Sequence, residues 1–198
     1  MKFISHRRNT IEQLKETNTN YGVEVDIRSF KNKLTIHHDP FIEGEEFDVW
    51  IKEYKHSTLI LNVKEEGLEN LLLESMKKNN INDFFFLDQS FPFLIKTAKN
   101  GVAKCAVRFS EYESIDTAIS LKGFIEWVWI DCFSKFPLSY NNFMDLKNAG
   151  FKICIVSPEL QGFDPDIEIP SFHKIFKEKN IIPDAICSKR IDIWESLI

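Results

Sequence analysis

The stretch TLILNVKEEGLENLLLESMKKNN, residues 58–80, decides the fold class. Its first seven residues are mostly apolar, as in a buried strand. The residues that follow place Leu68, Leu71, Leu72 and Met76 on one face of a helix. The stretch therefore predicts one β/α unit, a strand followed by an amphipathic helix.

The same alternation runs along the whole chain. Eight strand-like runs cover residues 2–6, 22–30, 58–64, 83–90, 102–109, 124–133, 151–157 and 184–189. Three of the helical patterns between them end on a glycine where a helix C-cap is expected, namely Gly101, Gly123 and Gly150. Eight such units favour an α/β fold of the (β/α)₈ TIM-barrel type, one compact domain spanning residues 1–198. Its loops must be short, because the fold rarely uses fewer than about 200 residues. An open doubly wound sheet is the alternative, but no GxGxxG or Walker sequence follows the first strand.

Composition narrows the range of partners. The formal net charge is −5, so the chain has no general basic field for nucleic acid. No apolar run is long enough to span a bilayer and no secretory signal is recognisable, so a cytoplasmic location is expected. The four cysteines form no CxxC pair and each lies in an apolar run, which predicts reduced core thiols. The sequence does not indicate an oligomeric state.

Polar residues collect where the predicted strands end. The carboxyl ends of barrel strands share one mouth, so side chains at these ends are expected to converge. They are His6, Arg7, Glu24, Asp26, Asn62, Lys64, Asp88, Arg108, Asp131, Ser157, Ser188, Lys189 and Arg190.

Glu24 and Asp26 suggest a metal site. They are two residues apart in a strand, so their side chains lie on the same face. Two carboxylates on one buried face repel each other unless a cation lies between them, and Mg²⁺ or Ca²⁺ accepts such oxygen ligands readily. The alternative is that both carboxylates face solvent on an edge strand.

The segment LTIHHDP, residues 34–40, adds imidazoles near these carboxylates. Together with residues 22–30 it predicts a hairpin with its turn at residues 31–33. Because neighbours in an extended segment point to opposite sides, only one of His37 and His38 is expected to face the mouth. With His6, this supplies two imidazoles for general acid and base catalysis.

Several short motifs resemble the glycerophosphodiester phosphodiesterase family, relatives of phosphatidylinositol-specific phospholipase C on a (β/α)₈ barrel. The matching residues are His6-Arg7, Asn9-Thr10, Glu24-Val25-Asp26 and His38-Asp39, with NVK (62–64) and QSF (89–91) similar to later motifs. The match covers about the first third of the chain closely. The remainder agrees mainly in its β/α rhythm.

The resemblance implies a function and a set of roles. The activity would be metal-dependent hydrolysis of a small glycerophosphodiester-like substrate to an alcohol and glycerol phosphate. One divalent cation, Mg²⁺ or Ca²⁺, would be its cofactor. The implied roles are catalysis for His6 as general base and His38 as general acid, phosphate binding for Arg7 and Lys64, and metal ligation for Glu24, Asp26 and Asn62.

Departures from the family pattern keep alternatives open. Arg8 stands where a glycine-rich loop is usual, and Asn62 replaces a carboxylate. The segment VSPEL (156–160) lacks a tryptophan typical of the family, and Ser188-Lys189 replaces an aspartate. A lyase that stops at a cyclic phosphate and a non-catalytic phospho-ligand-binding barrel therefore remain possible.

The outer part of the substrate is not specified. Arg108, Lys189 and Arg190 could bind a distal anionic part, or could be solvated rim charges. The alcohol could be a lipid headgroup, a sugar or a polymer of glycerol phosphate.

Overall fold

The computed structural model describes residues 1–198 and consists of ten strands, eight α-helices and two short 3₁₀ turns. The strands are β1 (Lys2–Ser5), β2 (Gly22–Phe30), β3 (Lys33–Ile36), β4 (Glu45–Glu46), β5 (Leu59–Val63), β6 (Phe84–Leu87), β7 (Ala106–Phe109), β8 (Trp127–Ile130), β9 (Lys152–Val156) and β10 (Ala185–Ser188). The helices are α1 (Ile11–Glu16), α2 (Phe47–Trp50), α3 (Glu69–Lys78), α4 (Phe91–Lys99), α5 (Ile115–Ile119), α6 (Tyr140–Asn148), α7 (Pro165–Glu178) and α8 (Ile191–Leu197). The 3₁₀ turns are Ile51–Glu53 and Pro158–Gln161. The α/β class is confirmed.

The chain divides into two compact units. The first unit is Ser5–Cys105, and the second unit combines Met1–Ile4 with Ala106–Ile198. The first unit contains every residue to which the sequence assigns catalysis, phosphate binding or metal ligation.

In the first unit, β2 is the central strand. It pairs in parallel with β5 and antiparallel with β3, while β5 pairs in parallel with β6 and β3 pairs antiparallel with the short β4. The register places Asp26 opposite Asn62, and Asn62 opposite Leu87. This register sets Asp26 beside Asn62 and brings Asp88, which follows Leu87, close to the end of β5.

The predicted hairpin at residues 31–33 is confirmed. Phe30 pairs with Lys33, and the two residues between them, Lys31 and Asn32, have φ values of 48° and 63°. Two consecutive left-handed residues are typical of the type I′ turn, whose twist matches that of the flanking strands. The hairpin carries the chain back alongside β2 and places the HHD motif beside Asp26, whose carbonyl accepts from the backbone N–H of His37 at 3.1 Å.

In the second unit, β7, β8, β9 and β10 pair in parallel in chain order. These four strands are buried almost throughout, as expected for a parallel sheet. The N–H of Lys2 donates to the carbonyl of Asp184 at 2.8 Å, which sets the start of β1 beside the start of β10. Phe176 of α7 stacks on Trp194 of α8 with ring centroids 5.6 Å apart.

Helix starts follow local capping chemistry. Thr10 and Gln13 form a capping box at α1, in which the Thr10 hydroxyl accepts from the Gln13 N–H and the Gln13 side chain accepts from the Thr10 N–H. Ser139 and Asp164 cap α6 and α7 with their side chains. Pro170 lies inside α7, where proline supplies no backbone N–H for a helical hydrogen bond.

The structure agrees with the main sequence expectations. Each of the eight strand-like runs contains one strand, and Gly101, Gly123 and Gly150 all have positive φ after a helix. All four cysteines are buried and none forms a disulfide. None of the helices combines the length and the apolar character needed to cross a membrane. Closure of the sheet into an eight-stranded barrel, and a single domain over residues 1–198, stay predictions.

Candidate active site

The first of the site residues follow β1 directly. The Arg8 N–H donates to the Glu24 carbonyl at 2.9 Å, and the Arg8 carbonyl accepts from the Trp50 indole N–H at 3.0 Å. The short connection from His6 to Asn9 is therefore held against β2. Arg7 has φ of 51°, a left-handed conformation that is uncommon for residues other than glycine. At the position where the resemblance led us to expect a glycine-rich loop, Arg8 instead forms a short connection held by two hydrogen bonds of its backbone groups.

Glu24 is fully buried and bonded from two sides. Its Oε2 accepts from the Arg7 N–H at 2.8 Å, and its Oε1 accepts from the Asn62 side-chain amide, also at 2.8 Å. His6 Nε2 lies 3.7 Å from Oε2. Burial, followed by the charge of Asp26, raises the pKa of Glu24 to about 7, while the bonds from Asn62 and Arg7 and the charge of Lys64 oppose this rise. The protein alone therefore does not fully compensate the two buried carboxylates.

Asp26 is fully buried as well, and Asn9 anchors it. The Asn9 side chain donates to Asp26 Oδ2 at 2.8 Å and accepts from the Asp26 N–H at 3.0 Å. Arg7 Nε lies 3.5 Å from Oδ2, and Lys64 Nζ lies 3.3 Å from Oδ1. Each carboxylate oxygen of Asp26 thus has one cationic side chain near it, Arg7 at Oδ2 and Lys64 at Oδ1.

Asp88 is a site residue to which the sequence assigned no role. It follows β6, and its Oδ2 accepts a hydrogen bond from Lys64 Nζ at 3.2 Å. Lys64 is consequently placed between Asp26 and Asp88, with only 17% of its side chain exposed. The signal was present in the sequence, because Asp88 directly follows the strand next to that of Lys64, but strand periodicity does not say which acid Lys64 meets.

The oxygen atoms at this site fit a hard divalent cation. The structure has no group of three or more His, Cys, Asp or Glu side chains arranged to hold a metal, so the candidate ligands are two carboxylates and one amide. Asp26 Oδ1 and Asn62 Oδ1 are both buried without a hydrogen-bond partner, and the two residues are opposite each other in the strand register. These two buried oxygens lie beside Glu24, a carboxyl group with a raised pKa. Together the three residues offer oxygen ligands of the kind that Mg²⁺ or Ca²⁺ binds.

The first unit has a cleft of about 670 Å³ whose lining includes Arg7 and Asn9, two residues that contact Asp26, but not the carboxylate pair itself. Arg7 and Asn9 line one part of it, and His37, His38 and Asp39 line another. The cleft therefore brings the phosphate-binding candidate Arg7 and the candidate acid His38 to one concave surface.

The two histidines of the HHD motif have different contacts. His38 Nδ1 lies 2.8 Å from Asp39 Oδ1, and 44% of the His38 side chain is exposed. This hydrogen bond lowers the pKa of Asp39. The ring nitrogen Nδ1 of His37 instead accepts from the backbone N–H of Asp39 at 3.0 Å. The backbone N–H of His37 donates to the Asp26 carbonyl. His37 stabilises the loop, and His38 carries the imidazole with a carboxylate partner.

That only one of the two imidazoles faces the mouth stays a prediction, although both His37 and His38 line this cleft. The alternation rule that motivated it applies to strands, and β3 ends at Ile36. Residues 37–40 bend away, so successive side chains no longer alternate. The Arg28 guanidinium donates to the His38 carbonyl at 2.9 and 3.1 Å and fixes this bend.

In the second unit, two of the three candidate distal cations, Arg108 and Arg190, already have acidic partners for their side chains. Arg108 bonds to Asp131, and Arg190 makes a two-pronged contact with Asp192. The Lys189 N–H donates to Glu159, which also accepts from the Ser188 hydroxyl at 2.7 Å. These contacts support the interpretation of Arg108 and Arg190 as structural rim charges.

The fold and the site together define a class: an α/β protein with a buried carboxylate pair on β2, two cations in contact with it, and imidazoles in the segments that follow β1 and β3. The sequence matches no protein-family model, and no curated protein is significantly similar to it.

Solved structures do resemble it. A glycerophosphodiester phosphodiesterase from Agrobacterium tumefaciens str. C58 superposes with a TM-score of 0.71 at 14% identity, covering 99% of this chain and 98% of that one. A candidate glycerophosphoryl diester phosphodiesterase of the same strain gives 0.71 at 11% identity, with coverages of 99% and 96%. A glycerophosphoryl diester phosphodiesterase from Parabacteroides distasonis ATCC 8503 gives 0.67 at 12% identity, with coverages of 100% and 87%. The chain has the fold of these proteins over nearly its whole length, which confirms the resemblance at the level of fold.

Proposed function

We propose that this chain is a metal-dependent phosphodiester hydrolase that cleaves a glycerophosphodiester-like substrate into an alcohol and glycerol phosphate. The observation that carries the proposal is the buried Glu24–Asp26 pair beside Arg7 and Lys64, in a chain with the fold of glycerophosphodiester phosphodiesterases. Such a site suits a cation and a phosphate anion next to each other. The proposal includes a closed (β/α)₈ barrel, one domain over residues 1–198, a small-molecule substrate and a cytoplasmic location.

Glu24, Asp26 and Asn62 would hold one divalent cation, Mg²⁺ or Ca²⁺. When bound, it would polarise the phosphoryl oxygens of the substrate. The unpartnered oxygens of Asp26 and Asn62 support this assignment.

Arg7 and Lys64 would bind and orient the phosphate. The guanidinium of Arg7 reaches the cleft and can form a two-pronged, charge-assisted contact with two phosphate oxygens. Lys64 would add a positive charge close to the oxygens on which negative charge develops in the transition state.

His6 and His38 would move protons. His6 would take the proton of a substrate hydroxyl adjacent to the phosphate, and that oxygen would attack phosphorus. His38 would protonate the departing alcohol oxygen, leaving a cyclic phosphate. Water would then open the ring with the two roles reversed, giving glycerol phosphate. The bond between His38 and Asp39 supports this role, because it orients the ring.

One contact favours a second candidate function, a phospho-ligand-binding protein without turnover. The Asn62 amide donates to Glu24 Oε1, so one carboxylate oxygen is already bonded where a cation would be held. In that case Arg7 and Lys64 would bind a phosphate group, and neither histidine would transfer a proton.

The deciding experiment is a ³¹P NMR assay of the purified protein with a panel of glycerophosphodiesters. We expect release of glycerol phosphate with Mg²⁺ or Ca²⁺, loss of the activity in EDTA, and loss in Asp26→Asn. Accumulation of a cyclic phosphate would identify a lyase. Saturable binding of inorganic phosphate without turnover of any diester would favour the binding protein.

A further inference from the structure

Lys64 has two acidic neighbours but forms a hydrogen bond with only one of them. Its Nζ donates to Asp88 Oδ2 at 3.2 Å. Asp26 Oδ1 is at a similar distance, 3.3 Å, yet this oxygen has no hydrogen-bond partner. The ammonium group therefore donates a hydrogen bond to Asp88, while its contact with the buried Asp26 Oδ1 is an ion pair without a hydrogen bond.

Asp88 makes this contact from an unusual backbone conformation. Asp88 has φ of 58°, in the left-handed region. Leu87 is opposite Asn62 in the strand register, so Asp88 follows at the end of β6 beside the end of β5. Aspartate tolerates this conformation better than most residues, but it still carries a conformational cost. From this position the carboxylate contacts Lys64, with 23% of the Asp88 side chain exposed.

We propose that Asp88 is a positioning residue that holds the Lys64 ammonium group and so keeps Asp26 Oδ1 available to a divalent cation. The proposal rests on the function proposed above, and it adds a residue to which no role was assigned. An ammonium group and a metal ion compete for the same carboxylate oxygen, and a second carboxylate decides which of them occupies it.

The physical reason is electrostatic. Asp26 is fully buried, so an ammonium group that bonded to it would be attracted strongly in a poorly screened environment. Without the charge of Asp88, Asp26 is the acid nearest to Lys64, and the ammonium group can complete a hydrogen bond to Oδ1. A divalent cation would then have to displace it.

The test is a double-mutant cycle read by calorimetric titration of metal-free protein with Mg²⁺ and, separately, with Ca²⁺. We expect Asp88→Asn to weaken cation binding about tenfold while Lys64 is present, and less than about threefold in the Lys64→Met background, a coupling typical of directly interacting groups. Asp83→Asn is the matched control: this acid flanks the other end of β6, where it accepts from Thr58. It should leave cation affinity unchanged.

Other outcomes would overturn the proposal. If Asp88 merely attracts the cation through its charge, Asp88→Asn will weaken binding equally in both backgrounds. Asp88→Gly, which accepts the left-handed φ without strain, guards against misfolding and should behave like Asp88→Asn. Unchanged cation affinity in both variants, or no cation binding by the wild-type chain, would also refute the role of Asp88.

A separate assay of diester hydrolysis tests the proposed function. Hydrolysis of a glycerophosphodiester that is lost in EDTA would support the phosphodiesterase even if Asp88 had no effect on cation affinity. Conversely, if Asp88→Asn weakens cation binding more when Lys64 is present than in the Lys64→Met background, the inference is supported even if no diester is cleaved.

Discussion

At the scale of single residues, Asn62 decides how strongly the candidate metal site can bind. It stands opposite Asp26 and supplies a neutral amide where a third carboxylate would supply charge. Its amide donates to Glu24, so the side chain compensates one carboxylate, while its own oxygen has no hydrogen-bond partner. If Asn62 is a metal ligand as proposed, we expect the site to bind its cation with modest affinity.

Asn62→Glu should therefore tighten the binding of Mg²⁺ or Ca²⁺ by about tenfold or more, because a third carboxylate adds charge to the ligand set. Isothermal titration calorimetry measures the change. Asn70→Glu, on the exposed surface of the first turn of α3, makes the same change in net charge away from the site. If both variants bind the cation as the wild type does, Asn62 is not a ligand.

His38 and His37 should differ in their effect on catalysis. His38→Ala should lower kcat by about 10² to 10⁴, the range for losing a general acid, and the loss should shrink for substrates whose leaving alcohol has a low pKa. His37→Ala should change kcat little, since His37 bonds to the loop backbone. His6→Ala should stay slow on every substrate.

The measurement is steady-state kinetics with a series of diesters of graded leaving-group pKa. Equal losses for the two neighbouring histidine variants, or an absence of rescue of His38→Ala by an activated leaving group, would contradict the assignment of His38 as the acid.

At the scale of elements, the segment between β3 and β4 depends on one close approach. Gly44 packs so tightly against the end of β3 that a Cβ at this position would overlap the carbonyl oxygen of Ile36 and lie 2.9 Å from His37 Cβ. The N–H of Gly44 also donates to the Thr35 hydroxyl at 3.2 Å. Backbone cannot yield as a flexible side chain can, so this glycine fixes the loop that carries both imidazoles.

Gly44→Ala should consequently displace the loop and lower the free energy of unfolding by about 1–3 kcal/mol, the usual cost of overpacking. Urea unfolding gives the stability, and kcat should fall with it because His38 moves. Glu45→Ala, the adjacent change without a steric conflict, serves as the control. A Gly44→Ala protein of wild-type stability and activity would show that the loop tolerates the extra carbon.

At the scale of the whole molecule, stability should depend on pH through a buried histidine. His56 is buried, and its Nε2 contacts the Thr17 carbonyl at 3.0 Å. Burial lowers the pKa of His56, with hydrogen bonds to the backbone opposing the shift. The unfolded chain therefore binds the proton more readily, and the stabilisation present above pH ~6.5 is lost as the pH falls below it.

Thermal or urea unfolding between pH 5 and 8 checks this expectation, with a slope of at most about 1.4 kcal/mol per pH unit from one histidine. His56→Gln should flatten the profile in that range. His173→Gln is a comparison, because the pKa of His173 is also lowered by burial, and it should flatten the profile only in part. An unchanged slope in His56→Gln would mean that other groups set the pH dependence.

The sequence predicted more of the fold than of the contacts at the candidate site. Hydrophobic periodicity is a local property, so the sequence alone determined the eight β/α repeats, the hairpin at residues 31–33 and the glycine helix ends. The same-face placement of Glu24 and Asp26 follows from the two-residue period of any strand.

Only the tertiary structure decided which groups meet. The register between β2, β5 and β6 brings Asn62 to Asp26 and aligns Asp88 with Lys64, and this register depends on how separate strands align. The anchoring of Asp26 by Asn9 joins residues 17 positions apart. Contacts of this kind are long-range and directional, whereas the sequence pattern records only how often apolar residues recur. For that reason the candidate ligands could be named from the sequence, but their partners could be identified only in the folded chain.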